Sequence, residues 1–433
     1  MRSWDPRIEE MPLKELKEMQ YKSLKTLVYR LYSFSDFYRK RMRETNVHPD
    51  DIRALEDVIK LPFMVKSDLR DNYPDKLFVI PRDEVVRYHA SSGTTGKPTV
   101  VGYTQQDLEY WTSSLARGLT SCGLGRGDVI QVSYGYGLFT GGLGLHYGAE
   151  KIGAAVLPTS VGNTERQIEL MQDMEVTAIA CTPSYLIHIG EAAEKMGISI
   201  KDDTHLKTAI LGAEPWSNKM RLRLEEWLGI KAYDIYGTSE LSGPLFTECE
   251  EQDGIHVWAD MTLVEIIDPE TGEQVAPGER GELTITMLRK EALPIVRYRV
   301  GDVTHLREEV CGCGRTHPRI GRIEGRVDDM LIIRGINVFP SQIEHTLMSI
   351  PQLGREFQIV VDRKGALDEL LVRVELGKDS FSDKINDLMD IKRMVAHRLR
   401  SALNISVEVE LADPGSLPRF EGKAKRVVDR REL

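Results

Sequence analysis

The chain has 433 residues, of which 41% are hydrophobic and 29% charged, and this predicts a soluble globular protein with two or three folding units. The formal net charge of -10 argues against nucleic acid or an anionic membrane as the main partner. The sequence has no apolar run long enough to span a bilayer, no hydrophobic N-terminal signal and too few cysteines for a secreted disulfide framework. We therefore expect a cytoplasmic protein.

Strands and helices are predicted to alternate over the first 255 residues. Helical periodicity covers residues 6–60. The elements that follow are helices over 107–122, 164–174 and 184–196, and buried strands over 129–133, 154–158, 178–183 and 208–212. This alternation predicts an α/β fold with parallel strands.

The pattern changes after residue 255. Alternating segments at 262–267, 281–287 and 303–306 predict antiparallel strands in a smaller barrel-like sheet. The last hundred residues favour a compact α+β unit with a boundary near Asp328, which includes a helix that begins at Pro340. We therefore predict a large multi-subdomain N-terminal domain over 1–327 and a small α+β C-terminal domain over 328–433.

A loop rich in glycine and hydroxyl groups lies between two extended runs. It consists of Ser91, Ser92, Gly93, Thr94, Thr95, Gly96 and Lys97. Glycines permit a tight turn, while hydroxyls, backbone N–H groups and the lysine can bind phosphate oxygens. Only two residues separate Gly93 from Gly96, whereas a Walker loop needs four, so that motif is excluded. A flexible turn remains the alternative to phosphate binding.

Carboxylates follow two further predicted strands. Residues 233–240 form a strand that ends in a glycine turn, with Ser239 and Glu240 at the strand's carboxyl end. Beside a phosphate loop, Glu240 could hold Mg²⁺, although a helix-capping turn would also explain the pattern. Asp302 follows another strand, where its carboxylate could accept hydrogen bonds from both ribose hydroxyls. An ordinary Gly-Asp turn is the alternative there.

Glycines and aromatic residues alternate over residues 134–150. This composition favours either tight helix packing or a flat pocket for an aromatic acid, in which rings stack and glycines leave room. His146 could orient a carboxylate in such a pocket, and a packed core histidine is an equal alternative.

Three cysteines and a histidine form a candidate zinc set: Cys249, His256, Cys311 and Cys313. Cys₃His is a common closed tetrahedral set, so a zinc ion here would be structural. The alternative is buried cysteines that bind no metal. Cys122 and Cys181 lie in apolar sequence and are predicted to belong to the core.

Together these motifs resemble those of the phenylacetate-CoA ligase family, in the adenylate-forming superfamily of acyl-CoA synthetases. The resemblance extends from about residue 5 to the C-terminus. Besides the loop at residues 91–97, it implies an ATP- and AMP-binding set of Gly212, Ala213, Glu214, Pro215, Asp234, Ile235, Tyr236, Gly237, Thr238, Ser239, Asp302 and Arg326.

The resemblance also implies roles for residues near the C-terminus. Lys423 takes the place of the lysine essential for adenylation, and a mobile ammonium suits a step that brings two anions together. On composition alone, the basic stretch 419–426 would be a solvated tail. Asp328 matches the hinge between the domains, and Gly335 lies in the loop that resembles the coenzyme A-binding loop.

The acid-binding residues implied by the resemblance are Tyr136, Phe139, Gly144 and Leu145. Leu145 stands where the family is expected to have a smaller residue, which leaves the exact acid open.

The resemblance implies an enzyme that ligates an aryl acetic acid, foremost phenylacetate, to coenzyme A. It would use ATP and Mg²⁺, release AMP and pyrophosphate through an acyl-adenylate, and form a homodimer. Alternatives are another aryl acid such as indoleacetate or benzoate, transfer to a carrier protein, and adenylation of a cofactor as in coenzyme F390 synthetase. A nucleotide sensor without turnover is the alternative outside the enzymes.

Overall fold

A computed structural model describes residues 3–91, 98–327, 331–333, 336–364, 367–377, 385–420 and 424–431. Nine predicted site residues lie outside these ranges: Ser92, Gly93, Thr94, Thr95, Gly96, Lys97, Asp328, Gly335 and Lys423.

Helices and strands alternate through most of the described chain. The helices are α1 (Pro6–Glu9), α2 (Leu13–Phe34), α3 (Asp36–Glu44), α4 (Lys66–Asp71), α5 (Gln105–Ser121), α6 (Gly141–Lys151), α7 (Thr164–Asp173), α8 (Pro183–Lys195), α9 (Ile200–Asp203), α10 (Asn218–Leu228), α11 (Pro340–Met348) and α12 (Ile385–Leu403). The strands are β1 (Arg87–Ala90), β2 (Val100–Tyr103), β3 (Val129–Val132), β4 (Ala155–Leu157), β5 (Ala178–Cys181), β6 (Thr208–Gly212), β7 (Lys231–Tyr236), β8 (Phe246–Thr247), β9 (Ile255–His256), β10 (Thr262–Ile267), β11 (Arg280–Met287), β12 (Tyr298–Arg307), β13 (Arg319–Ile320), β14 (Gly325–Arg326), β15 (Leu331–Ile333), β16 (Ile336–Val338), β17 (Leu353–Lys364), β18 (Leu367–Leu376), β19 (Glu408–Ala412) and β20 (Val427–Asp429).

Five strands form the parallel half of a twelve-stranded sheet, in the order β4-β3-β5-β6-β7. Their cores are apolar, and every residue of β5 and β6 is buried, as expected for strands covered on both faces. The predicted α/β alternation is confirmed. Because the strands are parallel, the carboxyl ends of β5, β6 and β7 share one edge of the sheet, where ligand sites form in such folds.

The strands after residue 255 form antiparallel pairs, as predicted, but they do not form a separate sheet. β10, β11 and β12 pair in sequence, and β14 also pairs with β12. The last residues of β12 then pair with β13, which continues through β9 and β8 to β7. The expectation of a separate smaller sheet is therefore wrong, because these short bridging strands carry too little pattern to be seen in the sequence.

The C-terminal part has its own four-stranded sheet, in the order β19-β18-β17-β20, with helices α11 and α12. Strands β17 and β18 pair in antiparallel register. Strand β20 was not predicted, and it pairs in parallel with β17 directly after the basic stretch 419–426. The α+β character of this part is confirmed.

Buried apolar residues form two large clusters. The second includes Ile179 of β5 and Leu211 of β6, and also Leu347 of α11 and Val361 of β17. The C-terminal part therefore shares apolar contacts with the large part. Within the described residues, no helix has the length and apolar character needed to cross a membrane.

Candidate active site

A cavity of about 1180 Å³ lies between the carboxyl ends of the parallel strands and the C-terminal part. One side is formed by the ends of β6 and β7, and the other by the start of α11 and residues 424–427. It is lined by fourteen of the predicted site residues: Ser91, Phe139, Ala213, Glu214, Pro215, Asp234, Ile235, Tyr236, Gly237, Thr238, Ser239, Glu240, Asp302 and Arg326. Motifs that lie more than 230 residues apart thus meet around one space.

Four other predicted residues lie away from the cavity wall. Gly212 ends β6, where an added Cβ would lie 2.1 Å from the carbonyl oxygen of Ile235, so it provides close strand packing. Gly144 packs against Trp111, and Leu145 is fully buried in the core. Tyr136 places its hydroxyl 3.3 Å from Nδ1 of His146 instead. Tight helix packing thus accounts for part of the glycine tract.

Glu240 is a buried carboxylate that faces the cavity. Its Oε1 accepts a hydrogen bond from Thr99 Oγ1 at 3.1 Å, and Ser91 Oγ accepts one from the backbone N–H of Thr99 at 3.1 Å. Thr99 therefore connects Ser91, the first residue of the glycine-rich loop, to the carboxylate of Glu240. A buried carboxylate beside hydroxyl groups is an oxygen donor set that fits Mg²⁺.

A buried lysine that the sequence reasoning missed supports the Glu240 turn. Lys290 Nζ donates to the Glu240 carbonyl oxygen at 3.2 Å and to Ser242 Oγ at 2.9 Å, and it lies 4.7 Å from the centre of the Tyr103 ring. Burial lowers the pKa of Lys290 to about 8. A lysine inside a charged run carries no sequence signal of burial, so only the fold reveals it.

Asp302 accepts hydrogen bonds from two other residues of the predicted nucleotide site. Arg326 Nη1 donates to its Oδ1 at 2.6 Å, because Asp302 of β12 and Arg326 of β14 are paired in register. Tyr236 donates its hydroxyl to Oδ2 at 2.5 Å. Burial, reinforced by the charge of Asp302, raises the pKa of Tyr236 well above its usual range, so it remains a hydrogen-bond donor.

Asp234 belongs to a buried ionic network. Its backbone N–H donates to Glu248 Oε2 at 2.7 Å, and Arg221 donates to both oxygens of Glu248 at 2.6 and 2.7 Å. Arg322 lies 3.3 Å from Asp234 Oδ2. Burial, together with the charge of Glu248, raises the pKa of Asp234 well above its usual value. Glu248 and both arginines come from different elements, which is why the sequence did not indicate them.

Glu214 connects the large part to the C-terminal part. Its Oε1 accepts a hydrogen bond from the backbone N–H of Ser184 at 2.6 Å, in the first turn of α8. Its Oε2 accepts one from the backbone N–H of Ala424 at 2.9 Å. Nearby, Glu344 of α11 accepts a hydrogen bond from the backbone N–H of Ser217 at 2.9 Å. Carboxylates thus hold both sides of the cavity together.

A small side cavity of about 30 Å³ shares walls with the large one. Its lining includes Tyr134, Phe139, Gly237 and Pro244. The Tyr134 hydroxyl donates to the carbonyl oxygen of Cys181 at 2.6 Å. Tyr134 lies in the tract for which an aromatic pocket was predicted, two residues before Tyr136. Of the tyrosines in this tract, Tyr134 lines the cavity and the predicted Tyr136 does not.

The four candidate zinc ligands are buried together, with their ligand atoms all within 4.8 Å of one another. The Sγ atoms of Cys249 and Cys311 are 3.7 Å apart, and Cys313 Sγ is 3.5 Å from Nε2 of His256. Three sulfur atoms and one imidazole nitrogen at these separations fit a tetrahedral Zn²⁺ site.

The residues that follow Cys313 hold the start of the chain. Arg315 Nε pairs with Glu9 Oε2 of α1 at 2.6 Å, and both side chains are buried. His317 Nε2 lies 2.8 Å from the Ile8 carbonyl oxygen. Helix α1 is therefore anchored beside the cysteine cluster.

Sequence comparison identifies the family. The profile of the AMP-binding enzyme family matches residues 22–287, and that of the AMP-binding enzyme C-terminal domain matches residues 335–431. The phenylacetate-coenzyme A ligase of Thermus thermophilus is 46% identical over 99% of this chain and 100% of its own length. That of Escherichia coli is 46% identical over 99% of this chain and 98% of its own length.

The chain belongs to the phenylacetate-coenzyme A ligase family.

Solved structures relate this family member to a particular conformational state. A 2-hydroxyisobutyryl-CoA ligase in the postadenylation state with 2-HIB-AMP gives a TM-score of 0.94 at 31% identity, over 100% of this chain and 93% of that chain. The same enzyme in the thioesterification state gives a TM-score of 0.73 at 32% identity over the same shares. The two parts of this ligase are therefore arranged more as in the postadenylation state.

Proposed function

We propose that this protein ligates phenylacetate to coenzyme A through phenylacetyl-adenylate, with release of AMP and pyrophosphate. The observation that carries the proposal is the cavity in which Glu240, Asp302 and Arg326 face one space, adjoined by the small aromatic-walled pocket. The high identity to ligases named for phenylacetate supports the choice of acid.

The acid would place its ring where the small pocket opens into the large cavity, against Tyr134 and Phe139, which line both spaces. Gly237 lets the backbone of its turn pack closely against Gly243 and Pro244, where an added Cβ would lie 2.7 Å from the Gly243 Cα. The carboxylate of the acid would then point into the large cavity, toward the nucleotide. A narrow, mostly apolar pocket favours a flat acid without charged substituents.

The nucleotide would occupy the large cavity. Asp302 would bind the ribose hydroxyls, with Arg326 and Tyr236 holding its carboxylate in place. The segment from Ala213 to Pro215 and Asp234 would line the adenine pocket, and residues 91–97 would bind the phosphates. Glu240 would hold Mg²⁺, which when bound would offset negative charge on the phosphates.

We propose the division into domains at residues 1–327 and 328–433, with Asp328 as the hinge. The separate four-stranded sheet of the C-terminal part supports this boundary. Lys423 would stabilise the transition state of adenylation, since two anions approach one another in that step. Rotation about Asp328 would then withdraw Lys423 and bring the Gly335 loop toward coenzyme A.

The Cys₃His cluster is proposed to hold a structural Zn²⁺, because its four ligand atoms leave no position for a substrate. We also propose a cytoplasmic location, which is supported by the lack of disulfide bonds among the five cysteines, all of which lie in the described residues. A homodimer is proposed from the prevalence of twofold assemblies, and the molar mass in solution tests it.

The deciding experiment measures pyrophosphate release with ATP, Mg²⁺ and a panel of acids, with and without coenzyme A. Turnover with phenylacetate that forms the thioester supports the proposal. Pyrophosphate release that never consumes coenzyme A would instead favour transfer to a carrier protein or adenylation of a cofactor. No acid-dependent release at all would favour a nucleotide sensor.

The lysine assignment is tested by Lys423→Ala, with Lys392→Ala as the control, because Lys392 is an exposed lysine of α12 that does not line the cavity. Lys423→Ala should abolish adenylation but spare thioester formation from preformed adenylate, whereas Lys392→Ala should retain both half-reactions. Equal loss of both half-reactions in Lys423→Ala would contradict the proposed domain rotation.

A further inference from the structure

Three buried rings lie behind the small pocket without lining it. His89 and Tyr103 belong to the hairpin β1–β2, and Trp111 belongs to α5. They are 2%, 0% and 3% exposed. The Tyr103 and Trp111 rings stack with centroids 5.4 Å apart, and the His89 ring meets each of them edge-on at 5.5 and 5.7 Å. We call His89, Tyr103 and Trp111 the ring cluster.

The ring cluster binds one wall of the small pocket through His89. His89 Nδ1 lies 2.9 Å from the Leu138 carbonyl oxygen, which also accepts a hydrogen bond from the backbone N–H of Ala90 at 3.0 Å. Since a carbonyl oxygen only accepts, Nδ1 must carry the proton. Burial lowers the pKa of His89, which favours the neutral ring. Leu138 directly precedes Phe139, so this bond fixes the position of the aromatic wall.

The ring cluster also binds the pocket wall at Pro244, through Trp111. Its Nε1–H donates to the Pro244 carbonyl oxygen at 3.0 Å, and Pro244 lines the small pocket. The back of the same indole ring meets α6, where an added Cβ on Gly144 would lie 2.6 Å from Trp111 Cζ2. The indole is therefore confined on one side by a helix and joined on another to the pocket wall.

We propose that His89 and Trp111 are positioning residues that set the width of the acyl pocket and so determine which acids the enzyme accepts. Two N–H donors on rings in mutual contact hold the carbonyl groups of Leu138, which precedes Phe139 of the pocket lining, and of Pro244, which lines the pocket itself. Because the rings are packed against each other, these two wall segments cannot move independently. This inference rests on the proposed function, since it requires the acyl group to bind beside these wall segments.

The test measures binding of two unreactive acyl-adenylate analogues by calorimetry: phenylacetyl-sulfamoyl-adenosine and its bulkier naphthylacetyl counterpart. Trp111→Phe keeps a ring but removes the N–H donor to Pro244. We expect the preference of the wild type for the phenylacetyl analogue to fall by about tenfold, the range that a change of a few atoms in a pocket produces. Trp227→Phe is the matched control, because Trp227 donates to Glu194 on the surface, and should leave the preference unchanged.

Variants at His89 test the same proposal independently of Trp111. His89→Leu removes the donor to Leu138 and should reduce the preference in the same direction. His89→Asn retains an N–H donor at a similar position and should restore most of it. Melting temperatures of all variants show which ones are folded.

The possible outcomes separate the two proposals. Equal weakening of both analogues in Trp111→Phe, or an unchanged preference, would overturn the role of the ring cluster. A wild-type enzyme that binds neither analogue would overturn the proposed function itself.

Discussion

The Glu214 carboxylate accepts a hydrogen bond from the backbone N–H of Ala424, with 2.9 Å between Oε2 and N. Ala424 directly follows Lys423 in the chain. A second connection lies five residues away, where Arg419 donates to both Glu191 of α8 and Glu375 of β18. The chain on both sides of the proposed catalytic lysine is thus attached to the large part in this arrangement.

Glu214→Ala should therefore impair adenylation selectively. We expect acid-dependent ATP–pyrophosphate exchange to fall by about ten- to a hundredfold, the effect of a misplaced catalytic group. Thioester formation from preformed phenylacetyl-adenylate should change little. Glu410→Gln, on an exposed ion pair with Arg373, is the matched control. Equal losses in both half-reactions would show that Glu214 does not act through the arrangement of the two parts.

Tyr236→Phe should weaken ATP binding less than Asp302→Asn does. Removal of the phenol takes away one donor to Asp302, whereas Asp302→Asn changes the group that would bind the ribose. We expect KM for ATP to rise about tenfold for Asp302→Asn and only a few-fold for Tyr236→Phe. Initial rates at varied ATP measure this, and an unchanged KM in Asp302→Asn would remove Asp302 from the nucleotide site.

Cys313→Ser should lose metal and stability together. With one thiolate missing, the purified protein should contain less than one zinc per chain by elemental analysis, and its melting temperature should fall by several degrees. Cys122→Ala is the matched control, because Cys122 is buried outside the cluster. Full zinc content in Cys313→Ser would exclude this cluster as the zinc site.

Glu356 should make stability depend on pH. Burial raises its pKa from the ordinary 4.5 to about 7, an effect that Arg426 and Arg419 oppose and Glu191 reinforces. Between pH 4.5 and 7 the folded state therefore binds more protons at Glu356 than the unfolded state does. The stabilisation that this proton binding gives to the folded state is lost as the pH rises through that window. The slope from this group is at most about 1.4 kcal/mol per pH unit.

Urea unfolding at pH 5, 6 and 7 measures this dependence. Glu356→Gln should flatten the decline in the free energy of unfolding across the window, while Glu410→Gln on the surface should leave it unchanged. An identical decline in wild type and Glu356→Gln would mean that another group binds the proton.

The sequence predicted the parts of the site that depend on residues close together in the chain. The strand-end motif at Glu240 was found because a strand period and a turn place it at the edge of the sheet. Asp302 was expected to follow a strand, but it lies inside β12 and pairs there with Arg326 of β14, because the strand continues through the Gly-Asp step to Arg307. Lys290 and Glu248 were missed because their partners lie on other elements, tens of residues away. In the aromatic tract, the pocket was predicted but not which tyrosine faces it, since helix α6 begins only at Gly141 and the residues before it follow no regular period.

The pairing of Arg315 with Glu9 has a consequence for the order of events during synthesis. Residues 8 and 9 find their buried partners only after residues 315–317 have left the ribosome. Helix α1 must therefore remain undocked from these partners until residue 317 has been translated. Chaperone contacts with the nascent chain should accordingly persist at α1 until the cysteine cluster has formed.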